Sequence, residues 1–147
     1  MGDMREIINL KYNYGEIIDR LVCQGSSDGA DALRALFTED ASLDLVEAGL
    51  PPMKGHDEIV KHFGDVMPPA VKWMWHAFHN PLIKIDGDRA TGHWLLTAYS
   101  IGRATPDVPP MATIGRYVEE YVRTPKGWRT SKVKFVLGSR YMTSAAG

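Results

Sequence analysis

Hydrophobic residues in the first part of the chain recur with the period of an α-helix. Spacings of three and four predict an amphipathic helix over residues 3–23, with these residues on its buried face: Ile7, Leu10, Tyr14, Ile17 and Leu21. A cluster of glycine, serine and aspartate at 25–29 predicts the turn that ends this helix. Further elements follow in the first half of the chain: a helix at 30–37, a strand at 41–46, a turn at 49–52 and a helix at 57–67.

From Trp73 onward the hydrophobic period changes to two, which predicts β-strands. The predicted strands are 73–80, 82–86, 90–101, 112–124 and 128–141. Turn residues at 86–88 and 125–127 join the last four strands into two hairpins, and a proline-containing loop, 103–110, separates the hairpins.

Helices followed by strands are typical of an α+β fold. We therefore expect a curved mixed or antiparallel sheet that wraps around a long N-terminal helix and two shorter helices. Such a sheet encloses a cone, and a cone can hold a small ligand. The length of 147 residues fits a single domain, which we place at 1–142, followed by a flexible C-terminal tail at 143–147.

Composition excludes several classes of protein. A hydrophobic fraction of 44% and a net charge of −1 are typical of a globular domain, and no apolar run is long enough to span a membrane. The balanced charge predicts that neither nucleic acid nor a membrane is a partner. The single cysteine, Cys23, excludes an internal disulfide framework, and the charged N-terminus has no apolar signal segment, so we expect a cytoplasmic protein.

Asp19 is the first candidate catalytic residue because of its position on the predicted helix. On a helical wheel it lies within about 40° of Tyr12 and Cys23, on an arc that is otherwise apolar or small. A carboxylate there needs a partner, since an unpaired buried charge is costly. The alternative is a surface acid paired with Arg20 or Lys11.

His76 is the second candidate, in the predicted strand 73–80. Alternation places it between Met74 and Phe78 on one face of the strand. An Asp–His pair that faces an apolar cavity is suited to general-base catalysis, because the carboxylate fixes the ring tautomer and stabilises the imidazolium that forms. The alternative is a core histidine with purely structural hydrogen bonds.

Tyr14, five residues before Asp19, is the third candidate, since a phenol in a cavity can donate a hydrogen bond to a carbonyl or a departing hydroxyl. An aromatic core residue is the alternative. Strand alternation also predicts the walls of an apolar pocket for a hydrophobic, ring-shaped ligand, with plain core packing as the alternative: Met74, Phe78, Trp94, Leu96, Ala98, Tyr117 and Phe135.

Short motifs run through almost the whole chain. They are KYNY at 11–14, DR at 19–20, ALFTEDA at 35–41, HAFHNP at 76–81, IDGDRATGHW at 85–94, GRY at 115–117, YVRT at 121–124 and GWR at 127–129. Together they resemble the SnoaL-like branch of the NTF2-like superfamily. The resemblance extends over roughly residues 5–137 and implies a cone-shaped α+β barrel, usually oligomeric through the open face of its sheet.

The resemblance also implies a set of active-site residues. Members resembling bile-acid dehydratase, scytalone dehydratase and lindane dehydrochlorinase use an aspartate of the first helix with a strand histidine, and Asp19 and His76 match these positions. Tyr14 matches a tyrosine of the bile-acid dehydratase-like branch. The sequence departs from that branch at Ala98, where the branch has a further acid, and at Leu137, where it has an arginine. These departures argue against a bile-acid conjugate as the substrate.

The candidate residues predict a cofactor-independent lyase that performs a dehydratase-type elimination on a small hydrophobic cyclic substrate. Two alternatives stay open. One is an isomerase of the ketosteroid-isomerase type, which returns the proton to its substrate, and the other is a non-catalytic ligand-binding module on the same fold. No metal site is expected, because His76 and His79 point to opposite faces of their strand.

Trp73 and Trp75 are expected on the sheet face opposite His76. A monomer would expose both indole rings to solvent, so they predict a subunit interface. The expected partners are therefore a small hydrophobic ligand and further copies of the chain, in a homo-oligomer that is either a trimer or a dimer.

Overall fold

The structure is a computed structural model that describes residues 2–24 and 28–143. Those residues contain three α-helices, a 3-10 turn and a π-helical turn: α1 (Asp3–Gln24), α2 (Asp28–Arg34), Val46–Ala48, α3 (Gly55–Lys61) and His62–Val66. α1 buries the apolar face that its hydrophobic spacing predicts, so the long N-terminal helix is confirmed. None of the described helices combines the length and the apolar character needed to cross a lipid bilayer.

The strands of the described chain form one curved sheet. Their bounds are β1 (Phe37–Asp44), β2 (Met53–Lys54), β3 (Val71–Asp86), β4 (Arg89–Gly102), β5 (Met111–Thr124) and β6 (Gly127–Met142). Their order in the sheet is β2–β1–β6–β5–β4–β3. β1 and β6 are parallel, and the other neighbouring strands are antiparallel. The sheet curves around α1 without closing, which confirms the predicted α+β fold with a curved mixed sheet.

Element boundaries differ from the prediction where tertiary pairing overrides the local pattern. The pattern predicts helix up to residue 37, but β1 begins at Phe37, because the backbone N–H of Thr130 in β6 donates to the carbonyl oxygen of Leu36 at 2.9 Å and strand pairing follows. The predicted strands 73–80 and 82–86 are one strand, β3. A bulge around Asn80, whose φ is 53°, shifts the pairing there without ending it.

Two predicted segments lie partly outside the described residues. They are the turn at 25–29, through residues 25–27, and the tail at 143–147, through residues 144–147. Thr143 itself is held in place, because its backbone N–H and its hydroxyl both donate to the carbonyl oxygen of Pro110 at 2.9 Å. The flexibility of the tail stays a prediction.

A β-bulge in β6 changes which side chains face the inside of the cone. Two adjacent residues of β5 pair with Leu137 and Ser139, so Gly138 between them is an extra residue. A Cβ at Gly138 would lie 3.0 Å from the carbonyl oxygen of Ile114, which favours glycine at this close approach. Beyond the bulge the alternation shifts by one residue, so that Arg140, an exposed residue, lines the chamber.

Asp3 fastens the first turn of α1 to the β5–β6 hairpin. Its Oδ1 accepts hydrogen bonds from Nη1 of Arg123 at 2.8 Å and from Nε1 of Trp128 at 3.1 Å, and its Oδ2 accepts one from Nη2 of Arg123 at 2.8 Å. These bonds, above all those from Arg123, lower the pKa of Asp3 to about 2. The carboxylate also lies at the positive end of the helix dipole.

Replacing Asp3 by Asn should therefore destabilise the protein in a pH-dependent manner. The pKa of about 2 in the folded state lies below the ordinary value of 3.8. The ionised carboxylate thus stabilises the fold above about pH 4, and this contribution is lost as the pH falls through about 2. Urea denaturation of the wild type and D3N should show the largest difference in unfolding free energy near about pH 6 and almost none near about pH 2. An equal difference at both pH values would contradict the role of the charge.

Candidate active site

Asp19 on α1 and His76 on β3 are in direct contact. The imidazole Nδ1 lies 2.6 Å from Oδ1 of Asp19, and the backbone N–H of His76 donates to Oδ2 at 3.0 Å. The partner of Asp19 is therefore His76 rather than Arg20 or Lys11. Because a carboxylate only accepts hydrogen bonds, Nδ1 carries the bonding proton, and Nε2 of the neutral ring is left to accept another.

Gly15 lets α1 approach β3 closely at this point. It lies one turn before Asp19, and a Cβ there would be 3.1 Å from the ring of Phe78 and 3.6 Å from Cβ of His76. The Phe78 ring stacks on the imidazole, with centroids 5.8 Å apart and planes inclined by 13°. The small residue on the helix and the stacked ring on the strand together fix the position of the imidazole.

A chamber of about 340 Å³ lies on the inner side of the Asp19–His76 pair. Most of its wall is apolar and comes from α1, the segment after β1, the turn after α3 and the middle strands: among others Ile18, Leu45, Leu50, Phe63, Met67 and Leu96. The polar side chains on this wall include Tyr14, His76, Tyr117 and Arg140. The chamber is therefore suited to an apolar molecule that carries a few polar groups.

An open groove lies on the opposite side of the pair, between α1 and β3. Asp19 lines this groove together with Arg20 and Trp75, whereas His76 and Met74 line both the groove and the chamber. The Asp19–His76 pair thus forms the partition between the two spaces. Its carboxylate lies on the side of the groove, and its imidazole reaches the chamber.

Tyr14 and Tyr117 bring two phenol groups to the chamber wall. Their rings are in edge contact, with centroids 6.5 Å apart. Burial, together with nearby negative charge, raises the pKa of each phenol above its ordinary value of 10.0. Both groups are therefore protonated at neutral pH and act as hydrogen-bond donors.

A buried ion pair lies behind these phenols. Nζ of Lys11 is 2.5 Å from Oε1 of Glu119, and both side chains are almost fully buried. The ammonium group also lies 3.6 Å from the ring centroid of Tyr117, 4.2 Å from that of Phe78 and 4.4 Å from that of Tyr14. Burial lowers the pKa of Lys11 to about 8, against the opposing effect of Glu119, so the ammonium form prevails at neutral pH.

Two predicted pocket walls belong to the core below the chamber. Nε1 of Trp94 donates to the hydroxyl of Tyr121 at 3.0 Å, and that hydroxyl donates to Oε2 of Glu119 at 2.5 Å. Phe135 packs against the ring of Tyr117, with centroids 5.4 Å apart. Neither Trp94 nor Phe135 is among the residues that line the chamber. Strand alternation predicts the face of a residue but not its depth along the cone.

The other predicted site residues lie at the chamber or beside it. The chamber is lined by Tyr14, Met74, His76, Leu96, Ala98 and Tyr117, and the outer groove by Asp19 and Phe78. Contact between Asp19 and His76 is thus confirmed, whereas the roles of these residues in catalysis or binding stay predictions. Within residues 2–24 and 28–143, no three His, Cys, Asp or Glu residues are grouped so as to hold a metal ion.

Sequence patterns miss the polar mouth of the chamber. Ser100 and Arg140 line it, and Nε of Arg140 donates to Oγ1 of Thr113 at 3.3 Å. Strict alternation counted from Leu137 predicts Arg140 on the outer face of the sheet. This prediction is wrong, because Arg140 lines the chamber. The available signal is Gly138, because a glycine inside a strand often marks a bulge.

Removing one partner of the Lys11–Glu119 pair should be strongly destabilising. K11M or E119Q leaves a buried charge without its partner, which costs about 3–5 kcal/mol of unfolding free energy. The double variant K11M/E119Q should lose less than the sum of the two single variants, because it contains no unpaired charge. Urea denaturation at neutral pH measures all three, with K132M on the exposed face of β6 as the control. Additive losses in the double variant would show that the two charges are not coupled.

The open α+β cone around α1 is the fold of the NTF2-like superfamily. The chain belongs to the SnoaL-like domain family, whose pattern matches residues 1–134. No curated protein sequence matches it.

Several solved structures are similar over almost the whole chain. A candidate aromatic ring hydroxylase from Novosphingobium aromaticivorans is 28% identical, covers 96% of this chain and 93% of its own, and has a TM-score of 0.79. A candidate scytalone dehydratase from the same species is 17% identical, with coverages of 97% and 89% and a TM-score of 0.79. A type 2 hexachlorocyclohexane dehydrochlorinase (LinA) is 14% identical, with coverages of 98% and 93% and a TM-score of 0.77. The last two likenesses show a shared fold.

Proposed function

We propose that this protein is a cofactor-independent lyase that performs a dehydratase-type elimination on a small hydrophobic cyclic substrate. One observation carries the proposal. His76 lines an apolar chamber while its Nδ1 is bonded to Asp19, which leaves Nε2 as a base for a substrate in the chamber. Asp19 holds the ring in this orientation through two hydrogen bonds, one to the side chain and one to the backbone of His76.

The reaction begins when Nε2 of His76 takes a proton from the carbon next to an electron-withdrawing group. The electron pair of that C–H bond forms the new double bond, and the C–O bond to the departing hydroxyl breaks. Asp19 stabilises the imidazolium that has formed, since an opposite charge in contact favours the protonated ring. The imidazolium then gives its proton to the departing hydroxide, so that water is released and the base is restored.

Tyr14 supports this step as a hydrogen-bond donor to the carbonyl or to the departing oxygen of the substrate. Burial raises its pKa, so the phenol keeps its proton and stabilises developing negative charge through a hydrogen bond. Tyr117 lies on the same wall, and burial raises its pKa too, so its phenol also keeps its proton.

Two structural neighbours support an elimination rather than another use of the base. Their names, scytalone dehydratase and hexachlorocyclohexane dehydrochlorinase, denote the removal of water and of hydrogen chloride. Removing water or hydrogen chloride to form a double bond breaks a C–H bond and a bond to a leaving group. An Asp–His base in an apolar chamber supplies the step that the two reactions have in common, which is the removal of a proton from carbon.

Loss of the base should abolish turnover. We expect the wild type to convert a cyclic β-hydroxy ketone, from a panel of such compounds, into the conjugated enone, which is followed by its ultraviolet absorbance. H76Q and D19N should each lower kcat by about 10²- to 10⁴-fold. D107N, which changes an exposed acid of the 103–110 loop, should retain wild-type turnover.

Related assays test the alternatives. A parallel assay with cyclic β,γ-unsaturated ketones tests the isomerase, because movement of their double bond into conjugation without loss of water would replace the lyase by an isomerase. Binding of panel compounds without turnover, unaffected by H76Q and D19N, would contradict catalysis and make the chain a ligand-binding module. Thermal melting of each variant shows whether it is folded at the assay temperature.

We also propose that copies of the chain associate through the outer face of the sheet as a trimer or a dimer. Trp75 is 61% exposed and Trp73 is 38% exposed, with their rings in edge contact. The same face carries both signs of charge, from Arg116, Glu120 and Lys132. Two copies of this surface can therefore pair opposite charges around the apolar rings.

Introducing a charge at the centre of this face should separate the copies. W75E is expected to convert the trimer or dimer into single chains, because a carboxylate would be buried between apolar rings. Light scattering after size-exclusion chromatography gives the mass of each species. V46E, which changes an exposed apolar residue outside the strands, serves as the control. A wild type that already has the mass of one chain would contradict the proposed assembly.

A further inference from the structure

One row of residues crosses four strands at the chamber. These residues are in register from strand to strand and all line the chamber: His76 on β3, Ala98 on β4, Thr113 on β5 and Arg140 on β6. The row begins with the proposed base and ends with a guanidinium group, with small side chains between them. Neighbouring strands are about 4.8 Å apart, so the two ends are separated by about 14 Å along the sheet.

Arg140 is positioned to bind a group that enters the chamber. Its Nε is bonded to Oγ1 of Thr113 at 3.3 Å, which orients the guanidinium plane on the row. None of the ion pairs among the described residues involves Arg140. The carboxylate of Glu47, on the segment after β1, accepts a hydrogen bond from the backbone N–H of Leu137 at 3.3 Å. Within the described residues, therefore, the Nη groups of Arg140 do not form an ion pair with a carboxylate.

The residues around this row indicate the chemical character of the rest of the ligand. The wall of the chamber is mostly apolar, and Ala98 and Thr113 leave space above the sheet between the base and the guanidinium. A ligand that fits has an apolar body over the small residues and a polar group at one end. Guanidinium is planar, permanently charged and suited to two parallel hydrogen bonds with a carboxylate.

We propose that the substrate is a ring compound with a carboxylate group, which Arg140 binds at the mouth of the chamber while the reacting carbon lies at His76. The part played by His76 rests on the proposed function, whereas recognition of the carboxylate needs no turnover. Arg140 thus determines specificity: it selects anionic ring compounds over neutral ones and sets which carbon is presented to the base.

A matched pair of probes tests the recognition. 2-Naphthoate and 2-naphthamide have the same ring and nearly the same shape, and only the first carries a charge. Wild-type protein should bind the naphthoate about tenfold more tightly than the amide, because a charge-assisted pair of hydrogen bonds forms with only one of them. Isothermal titration calorimetry measures both dissociation constants.

Variants assign the preference to Arg140. R140Q should bind the two probes with affinities within about twofold of each other, and R140K should keep part of the preference, since it keeps the charge but loses the planar fork. R5Q, which removes an exposed arginine from α1 away from the chamber, should behave as the wild type. A wild type that binds the naphthoate no better than the amide, including no binding of either, would overturn the proposal. A preference that survives in R140Q would do the same.

H76Q separates this inference from the proposed reaction. The variant lacks the base but keeps Arg140, so its preference for the naphthoate should equal that of the wild type. If the elimination assay fails while the preference disappears only in R140Q, the carboxylate site stands and the proposed reaction does not. If elimination is found with neutral compounds and R140Q changes neither kcat nor KM, the reaction stands and the carboxylate site does not.

Discussion

The buried ion pair between Lys11 and Glu119 is the interaction on which the geometry of the site depends. It joins α1 to β5 in the interior, where neither charge reaches water, so each must keep its partner. Because a helix is stiff, fixing Lys11 also fixes the residues one and two turns further on, Gly15 and Asp19. A rotation of α1 about its own axis would separate the two charges. The pair therefore determines both where the helix lies and which of its faces meets the sheet.

Phe78 separates that buried cation from the imidazole. Its ring contacts the ammonium of Lys11, with the nitrogen 4.2 Å from the centroid, and stacks on His76. The aromatic ring keeps the two groups apart, while Asp19 supplies the opposite charge from the side of the outer groove. The buried ammonium, the aromatic ring and the imidazole therefore lie in three successive layers.

The sequence was sufficient to predict the parts of this arrangement that follow from periodicity. The helical stripe of α1 and the orientation of Trp73 and Trp75 follow from helical spacing and alternation. The contact of Asp19 with His76 was predicted from alternation together with the family resemblance. The start of β1 could not be predicted, because it depends on parallel pairing with a strand almost a hundred residues later. The inward position of Arg140 was missed for a related reason: one bulge residue reverses every later side chain of β6.

Alternation determines on which face of the sheet a side chain lies, but it does not determine how far the side chain is from the chamber along the strand. The inward side chains of β4 become smaller from Trp94 through Leu96 to Ala98, and β5 has a glycine and a threonine beyond Tyr117. The large groups pack together at the Trp94 end of this series, where indole and phenol rings have the ion pair as their polar partner. Towards the other end the side chains no longer span the space between the sheet and α1, and the chamber is what remains. Its position is thus set by a gradient of side-chain volume along the strands, and the bulge at Gly138 lies where that gradient ends and the polar mouth begins.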